Sequence, residues 1–402
     1  MKNCKLNSII IIYMLFALAF VSPLQSESLQ KKEKNPTGLR VVLIKGSPYQ
    51  RGLIHGKTLK NEIKTTIHKW KEEMKKKKSL QGKDLDELIT GFMKKTRFYE
   101  AARRWTPNII DEVKGIAEGS GIDLDTIMLF QVSEEFETFG RYILSIVGRC
   151  TSIGVRGGEN QAAFVAQNMD IPDFLHSFPT LLHVVDEASG IESYVYTIPG
   201  LVGLCGLNNK AIAITCNALT QLQFTGDGLP VAFIVRGVLA QKDYDDASRF
   251  LKEITHATGQ NYIIGGPRNV ESFECSVNQV MKYQPEKLKH LVFHTNHPIV
   301  NKNYFPRFLR ALKKRNITLE DYDSRCKRFN SLSRTFKEGD RPVSLEFIKT
   351  LLSPRAEYIN NDYTYGTLIM KLTPQPELHL SPGRPDETVF RVFRFQSMET
   401  GK

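Results

Sequence analysis

Long apolar runs are scarce in this chain. One stands out, Ile9 to Val21, and no other segment is apolar for long enough to cross a membrane. Even that run is shorter than the roughly 20 residues a spanning helix needs. Lys2 and Lys5 precede it, and small and polar residues follow from Ser22 to Ser28. This pattern predicts a secretory signal over residues 1–28, hence export to the cell exterior or periplasm, with an uncleaved signal-anchor as the lesser reading. There is no fixed-period repeat, which excludes solenoids and propellers. There is no CxxC spacing, which leaves zinc and dithiol redox motifs without support. No nucleic-acid recognition motif occurs either.

Charge of one sign is in excess, but locally. Lys and Arg outnumber Asp and Glu 26 to 17 over residues 1–149, which carries most of the net +12. Much of it sits in Lys31-Lys32-Glu33-Lys34 and Lys75-Lys76-Lys77-Lys78. Runs of this kind predict a solvated helix face or loop, with contact to an anionic membrane surface as the second reading. A nucleic-acid partner is rejected. Of six cysteines, five remain once Cys4 is removed with the signal. An odd count in an exported chain leaves at least one thiol free or paired between chains. His294-x-x-His297 has no third ligand at a useful spacing, so it is read as ordering a loop, and no metal or cofactor is expected.

The chain has 402 residues, enough for one large core or two ordinary domains. Residues 29–37 read as a polar linker and Leu39 to Ile44 as a short strand. From Tyr49 to Lys78 the spacing of Leu53, Leu59, Ile63, Ile67 and Trp70 is helical. Further helices are expected at 84–104, 107–119 and 123–140, with Asp123 as a cap. After Cys150 the pattern becomes short strands, near 162–167, 181–185, 193–197 and 211–215. Two helices follow, at 230–241 and 245–255. Strands are then expected at 262–264, 271–276 and 291–294, helices at 303–314, 321–336 and 343–352, and strands at 366–372 and 389–395. Strands grouped in hairpins favour an α+β layered fold over a doubly wound sheet.

Cys150 sits in Gly148-Arg149-Cys150-Thr151-Ser152, at the start of a strand. On composition alone a buried or disulfide cysteine is the better reading. Its company changes that. Gln167-Asn168-Met169-Asp170 ends one apolar strand, Ile214-Thr215-Cys216-Asn217 ends another, and His294-Thr295-Asn296-His297 follows a third. Polar amides at strand ends are turn formers or site residues.

This ordered set, with Gly206-Leu207-Asn208, resembles the acyl-coenzyme A:6-aminopenicillanic acid acyltransferase family, a branch of the N-terminal nucleophile hydrolases. Gly46-Ser47-Pro48-Tyr49-Gln50-Arg51-Gly52 and Leu380-Ser381-Pro382-Gly383-Arg384-Pro385 resemble its terminal signatures. The resemblance implies a four-layer αββα sandwich forming one catalytic domain. It implies self-cleavage between Arg149 and Cys150 into an α chain (29–149) and a β chain (150–402) that stay together as a heterodimer. Cys150 would be the nucleophile. Its freed α-amine, with an ordinary pKa of about 8, would be the base. Asp170 would orient that amine, Asn296 with Asn217 would hold the oxyanion, and Arg325 would favour the thiolate. The substrate would be a small acyl-amide or acyl-thioester, hydrolysed or passed to an acceptor. Two features depart from the pattern: Arg149 stands where glycine is common, and Met169 where an aromatic is common. The alternative is an uncleaved exported binding protein that holds an acyl-amide or amphiphile. A papain-like enzyme using one of the nine histidines is disfavoured, since no papain-type flank surrounds Cys150.

Overall fold

A computed structural model describes residues 38–77, 82, 84–140, 150–337, 339, 341–355 and 359–395. The predicted signal, the linker, residues 141–149 and Lys78 lie outside them. Strand β1 (Arg40–Lys45) is followed by helices α1 (Pro48–Thr58), α2 (Lys60–Lys76), α3 (Leu85–Lys95), α4 (Phe98–Trp105), α5 (Pro107–Ser120), α6 (Leu124–Gln131) and α7 (Ser133–Gly140). After Cys150 come β2 (Thr151–Val155), β3 (Ala163–Asp170), β4 (Thr180–Asp186), β5 (Ile191–Thr197), β6 (Cys205–Asn208) and β7 (Ala213–Ala218). Helices α8 (Val231–Leu239) and α9 (Tyr244–Glu253) precede β8 (Gln260–Gly265), β9 (Val270–Ser276), β10 (Gln279–Tyr283) and β11 (Leu291–His294). The last elements are α10 (Pro306–Lys314), α11 (Leu319–Ser324), α12 (Lys327–Thr335), α13 (Leu345–Leu352), β12 (Thr364–Leu372), β13 (Glu377–Pro382) and β14 (Arg391–Arg394).

The strands form two sheets, ordered β1-β4-β5-β6-β7-β8-β9-β10 and β11-β2-β3-β12-β13-β14. Among the described residues every strand pair is antiparallel except β1 on β4, which is parallel; β2–β3, β4–β5 and β8–β9 are hairpins, while β11 on β2 and β12 on β3 join segments distant in sequence. The sheets stack face to face. A Cβ on Gly154 of β2 would strike Ile263 and Val270 of the other sheet, and one on Gly265 of β8 would strike Val165 and Leu372. Helix α8 covers the outer face of the first sheet, where Asn208 donates to Leu239 O. Helices α12 and α13 cover the second, packing Leu332, Phe336, Ile348 and Leu352 on Ile153, Val155, Phe164 and Ile369. The layer order is therefore αββα, as expected.

Local chemistry explains most boundaries. Ser47 caps α1 in a capping box with Gln50, and Pro48 occupies its first turn. Gly121, at φ +68°, ends α5 in the left-handed cap that glycine tolerates best. The backbones of α1 and α5 approach so closely that Cβ atoms on Gly52, Gly56, Gly115 or Gly119 would meet backbone atoms of the facing helix. Buried Glu112 of α5 accepts from Arg51 of α1 at 3.3 Å and from Arg236 of α8 at 2.6 and 2.9 Å. His55 of α1 accepts the Gly200 N–H. These contacts bind the N-terminal segment to the strand-rich part. The Lys run is spent at the surface: Lys75 pairs with Glu72, Lys76 with Glu73 and Lys77 with Glu137.

Four expected helices are each two. The 49–78 stretch breaks at Leu59, the 84–104 span before Phe98, the 123–140 span at Val132, and the 321–336 span at Arg325-Cys326, where Cys326 has extended backbone. The last break matters for the site. Strands β6, β10 and β13 were not expected, being too short or too polar on one face to stand out. A turn at Asn208-Asn209 joins β6 to β7, and Ala211 takes φ +59° there.

Candidate active site

The sandwich sets two ends of strands beside each other. In the β2–β3 ladder Thr151 faces Asn168 and Ser152 faces Gln167, which brings Cys150 to the end of β3. The Cys150 sulfur lies 3.4 Å from the Asp170 N–H, which donates to it, and 3.6 Å from the Asp170 carbonyl oxygen. Burial, then the Asp170 charge, pushes the thiol up to about 12, against a smaller lowering by the Asp170 N–H bond. It is therefore protonated at neutral pH in this structure.

Asp170 is buried and held from the β12 side. Asn361 Nδ2 donates to one carboxylate oxygen at 2.6 Å and Thr364 Oγ1 to the other at 2.7 Å. Asn361 is itself fixed, since its Oδ1 accepts from Tyr363 N and its N–H donates to Thr364 Oγ1.

The arginine beside Cys150 is Arg328, not Arg325. Arg328 Nη1 donates to the Cys150 carbonyl oxygen and, at 3.1 Å, to Thr151 Oγ1, while Nη2 donates to Asn296 Oδ1 at 3.0 Å. Arg325 is exposed at the end of α11. A continuous helix over 321–336 would carry both arginines on one face. The break at Cys326 separates them, and only Arg328 turns inward.

Asn296, 4% exposed, has its carbonyl oxygen occupied by Arg328 and donates one amide hydrogen to Ala218 O at 3.1 Å. Its orientation is thereby fixed as a donor, with a second amide hydrogen to spare. Asn217, next to Ala218, is oriented the same way by a directional chain. Ser272 Oγ donates to Asn261 Oδ1 at 2.6 Å, and Asn261 Nδ2 donates to Asn217 Oδ1 at 3.2 Å. Asn217 Nδ2 is buried with no partner among the described residues. An unspent buried donor is costly, about 1–3 kcal/mol, unless a ligand uses it. Cys150, Asp170, Asn296 and Asn217 are thus linked, through Arg328 and Ala218.

The two histidines of the Asn296 segment serve other partners. His294 Nε2 meets Glu274 at 2.8 Å and its Nδ1 meets Thr295 O at 2.9 Å, while Glu274 also accepts three N–H groups from residues 299–301. His297 turns to Cys326 and Thr295. No group of three metal-ligating side chains occurs among the described residues. Cys150, Cys205, Cys216, Cys275 and Cys326 are all free thiols.

Sequence reasoning missed Arg328, Asn361, Thr364, Asn261 and Ser272. Asn360-Asn361-Asp362 ahead of a strand was a visible turn signal. Nothing in the local sequence separates Arg328 from Arg325.

Comparison with known proteins follows this geometry. The family model described as acyl-coenzyme A:6-aminopenicillanic acid acyl-transferase matches residues 155–365, which include Asp170, Asn217, Asn296 and Arg328. Protein dcd1B of Dictyostelium discoideum is 24% identical over 248 residues, 57% of this chain and 47% of its own. The chain thus spans about half the length of that relative. Among solved structures, a mutant conjugated bile acid hydrolase from Clostridium perfringens is 11% identical with TM-score 0.35, over 61% of this chain and 97% of its own. Penicillin V acylase from Agrobacterium tumefaciens is 12% identical with TM-score 0.36, over 62% and 86%. With its family model covering more than half of its length, the chain belongs to the acyl-coenzyme A:6-aminopenicillanic acid acyl-transferase family.

Proposed function

We propose that the chain is a precursor activated by a break between Arg149 and Cys150, and that the product is an amide hydrolase or acyltransferase with Cys150 as nucleophile. The observation that carries this reading is the convergence on Cys150 of Asp170 and Arg328, with Asn296 held by the same arginine. In the uncut chain the residue-150 nitrogen is an amide and no base stands ready. Cleavage turns it into an amine beside Asp170, whose carboxylate stabilises the protonated form.

The cycle then closes. The amine takes the thiol proton, and the sulfur attacks the acyl carbonyl. The oxyanion accepts from Asn296 Nδ2 and Asn217 Nδ2. The ammonium returns its proton to the leaving amine, and a thioester remains on Cys150. Water or an acceptor amine gives up a proton to the α-amine, attacks the thioester and frees the sulfur. Small acyl-amides or acyl-thioesters are the substrate class, no cofactor takes part, and the cut chains remain a heterodimer. The predicted signal supports export, and the Lys-rich end of α2 is the segment that would meet an anionic membrane surface.

Mass measurement of the purified protein tests this. Two fragments are expected, the second starting at Cys150, and Cys150→Ala should give one whole chain with turnover of N-acyl amides reduced on the order of 10⁴-fold or more. A whole chain that turns over substrate without Cys150 would sink the proposal. The binding-protein reading draws on the same thiol, pushed up to about 12 and inert while the chain is whole. It predicts a whole chain that binds acyl-amides and releases no acid.

A further inference from the structure

Outside the proposed catalytic set lies a second nucleophile with a histidine of its own. Cys326 is half-buried at the break between α11 and α12. Its sulfur is 3.3 Å from Thr295 Oγ1, that hydroxyl is 3.2 Å from His297 Nδ1, and His297 hydrogen-bonds to the sulfur. The charged and titratable groups around the pair are Arg328 and Asp323 on the flanking helices, Tyr322 on α11 and His297 on the facing segment. Burial pushes the thiol up, but the His297 bond, the Arg328 and His297 charges and the Thr295 bond outweigh it and bring it down to about 6. Disulfide exchange runs through the thiolate, the form these neighbours favour.

Its position joins it to the site. Asn296 lies between the two residues that hold Cys326, and Arg328 is two residues further along the same chain. One acceptor nearby is unspent. Gln221 is buried and donates to Asn296 O and to Tyr322 Oη, each at 2.9 Å, while its Oε1 has no partner among the described residues. Tyr322 in turn feels the Cys326 charge. An adduct bearing N–H groups would find an acceptor there.

We propose that Cys326, paired with His297, is a modification site for small amino-bearing disulfides, and that the adduct switches off the catalytic centre by displacing Arg328 and Asn296. The Cys326 thiolate attacks one sulfur of the disulfide. That S–S bond breaks, a mixed disulfide forms on Cys326, and the departing thiolate takes a proton from the solvent. The modification stands on its own; the loss of activity rests on the function proposed above.

The test uses the full chain and oxidised glutathione at pH 7, with adducts located by intact mass and peptide mapping. One adduct is expected on Cys326 in the wild type and in Cys150→Ala, and none there in Cys326→Ser or Cys326→Ala. His297→Gln should move the onset of reaction up in pH towards that of an ordinary thiol. In Cys150→Ala, where the proposed nucleophile is gone, no adduct, or an adduct mapped to another cysteine, overturns the site. Wild-type turnover should fall at least tenfold on modification and return with a thiol reductant, while Cys326→Ser stays active and insensitive. Full turnover with stoichiometric adduct overturns the switch. If instead Cys150→Ala keeps its turnover, the proposed function fails while the adduct map still decides the site.

Discussion

Two half-buried thiols, Cys150 and Cys326, share one arginine and have opposite chemistry. Arg328 holds the carbonyl of Cys150, yet burial and Asp170 keep that thiol near 12. Cys326 meets the same guanidinium charge together with His297, and it lies near 6. A nearby cation is therefore not enough to activate a buried thiol. What differs is the partner. Cys326 has an imidazole in place, whereas Cys150, under the function proposed above, would gain its amine only on chain cleavage. The higher-lying thiol is the one linked through Arg328 to Asn296.

The strongest way to sharpen this contrast is to remove a donor that serves only Cys150. Asn296→Ala should lower kcat by roughly 10²–10³ in steady-state assays, the usual cost of one oxyanion donor, with KM little changed. An equal fall in iodoacetamide reactivity at Cys326 would break the contrast. Next is the direct comparison. In a chain that is still whole, Cys326 should react with iodoacetamide at pH 7 on the order of 10²-fold faster than Cys150. Its far larger thiolate fraction is partly offset by the weaker nucleophilicity of a low-pKa sulfur. The sign with pH follows: the Cys326 rate rises up to about pH 6 and then levels, while the Cys150 rate still climbs above pH 9. Quantitative peptide mapping over pH 5–10 reads both.

Arginine swaps give a smaller effect. Arg328→Met should cost on the order of 10-fold or more in kcat, because Asn296 loses its orienting partner, while Arg325→Met should stay within about twofold. The smallest concerns Asp170. Asn361→Ala removes one bond to a buried carboxylate and should lower stability by about 1.5–3 kcal/mol, read as a lower urea midpoint.

Much of the layered fold was legible because apolar alternation and helical spacing are local signals. The strands around Asp170, Asn217 and Asn296 were placed this way, and so was the helical segment before Cys150. What escaped depends on neighbours distant in sequence. Asn361 and Thr364 matter only because β12 pairs with β3 and delivers them to Asp170. Asn261 and Ser272 matter only because β8 lies between β7 and β9. His297 looked like a loop former until the helix break brought Cys326 to it. Arg325 fitted the resemblance by pattern alone, and that same unforeseen break leaves Arg325 exposed and turns Arg328 inward.

The parallel pairing of β1 with β4, together with the Arg51–Glu112–Arg236 ion triad, has a consequence for what a cut at residue 149 would do. The two pieces would already share one sheet, to which the first piece gives the strand β1, and one buried charge cluster, folded as a unit before the break. Their association would owe nothing to encounter in solution. Dilution alone would not part them, and separation would require unfolding both, after which the cut ends could no longer be rejoined by refolding.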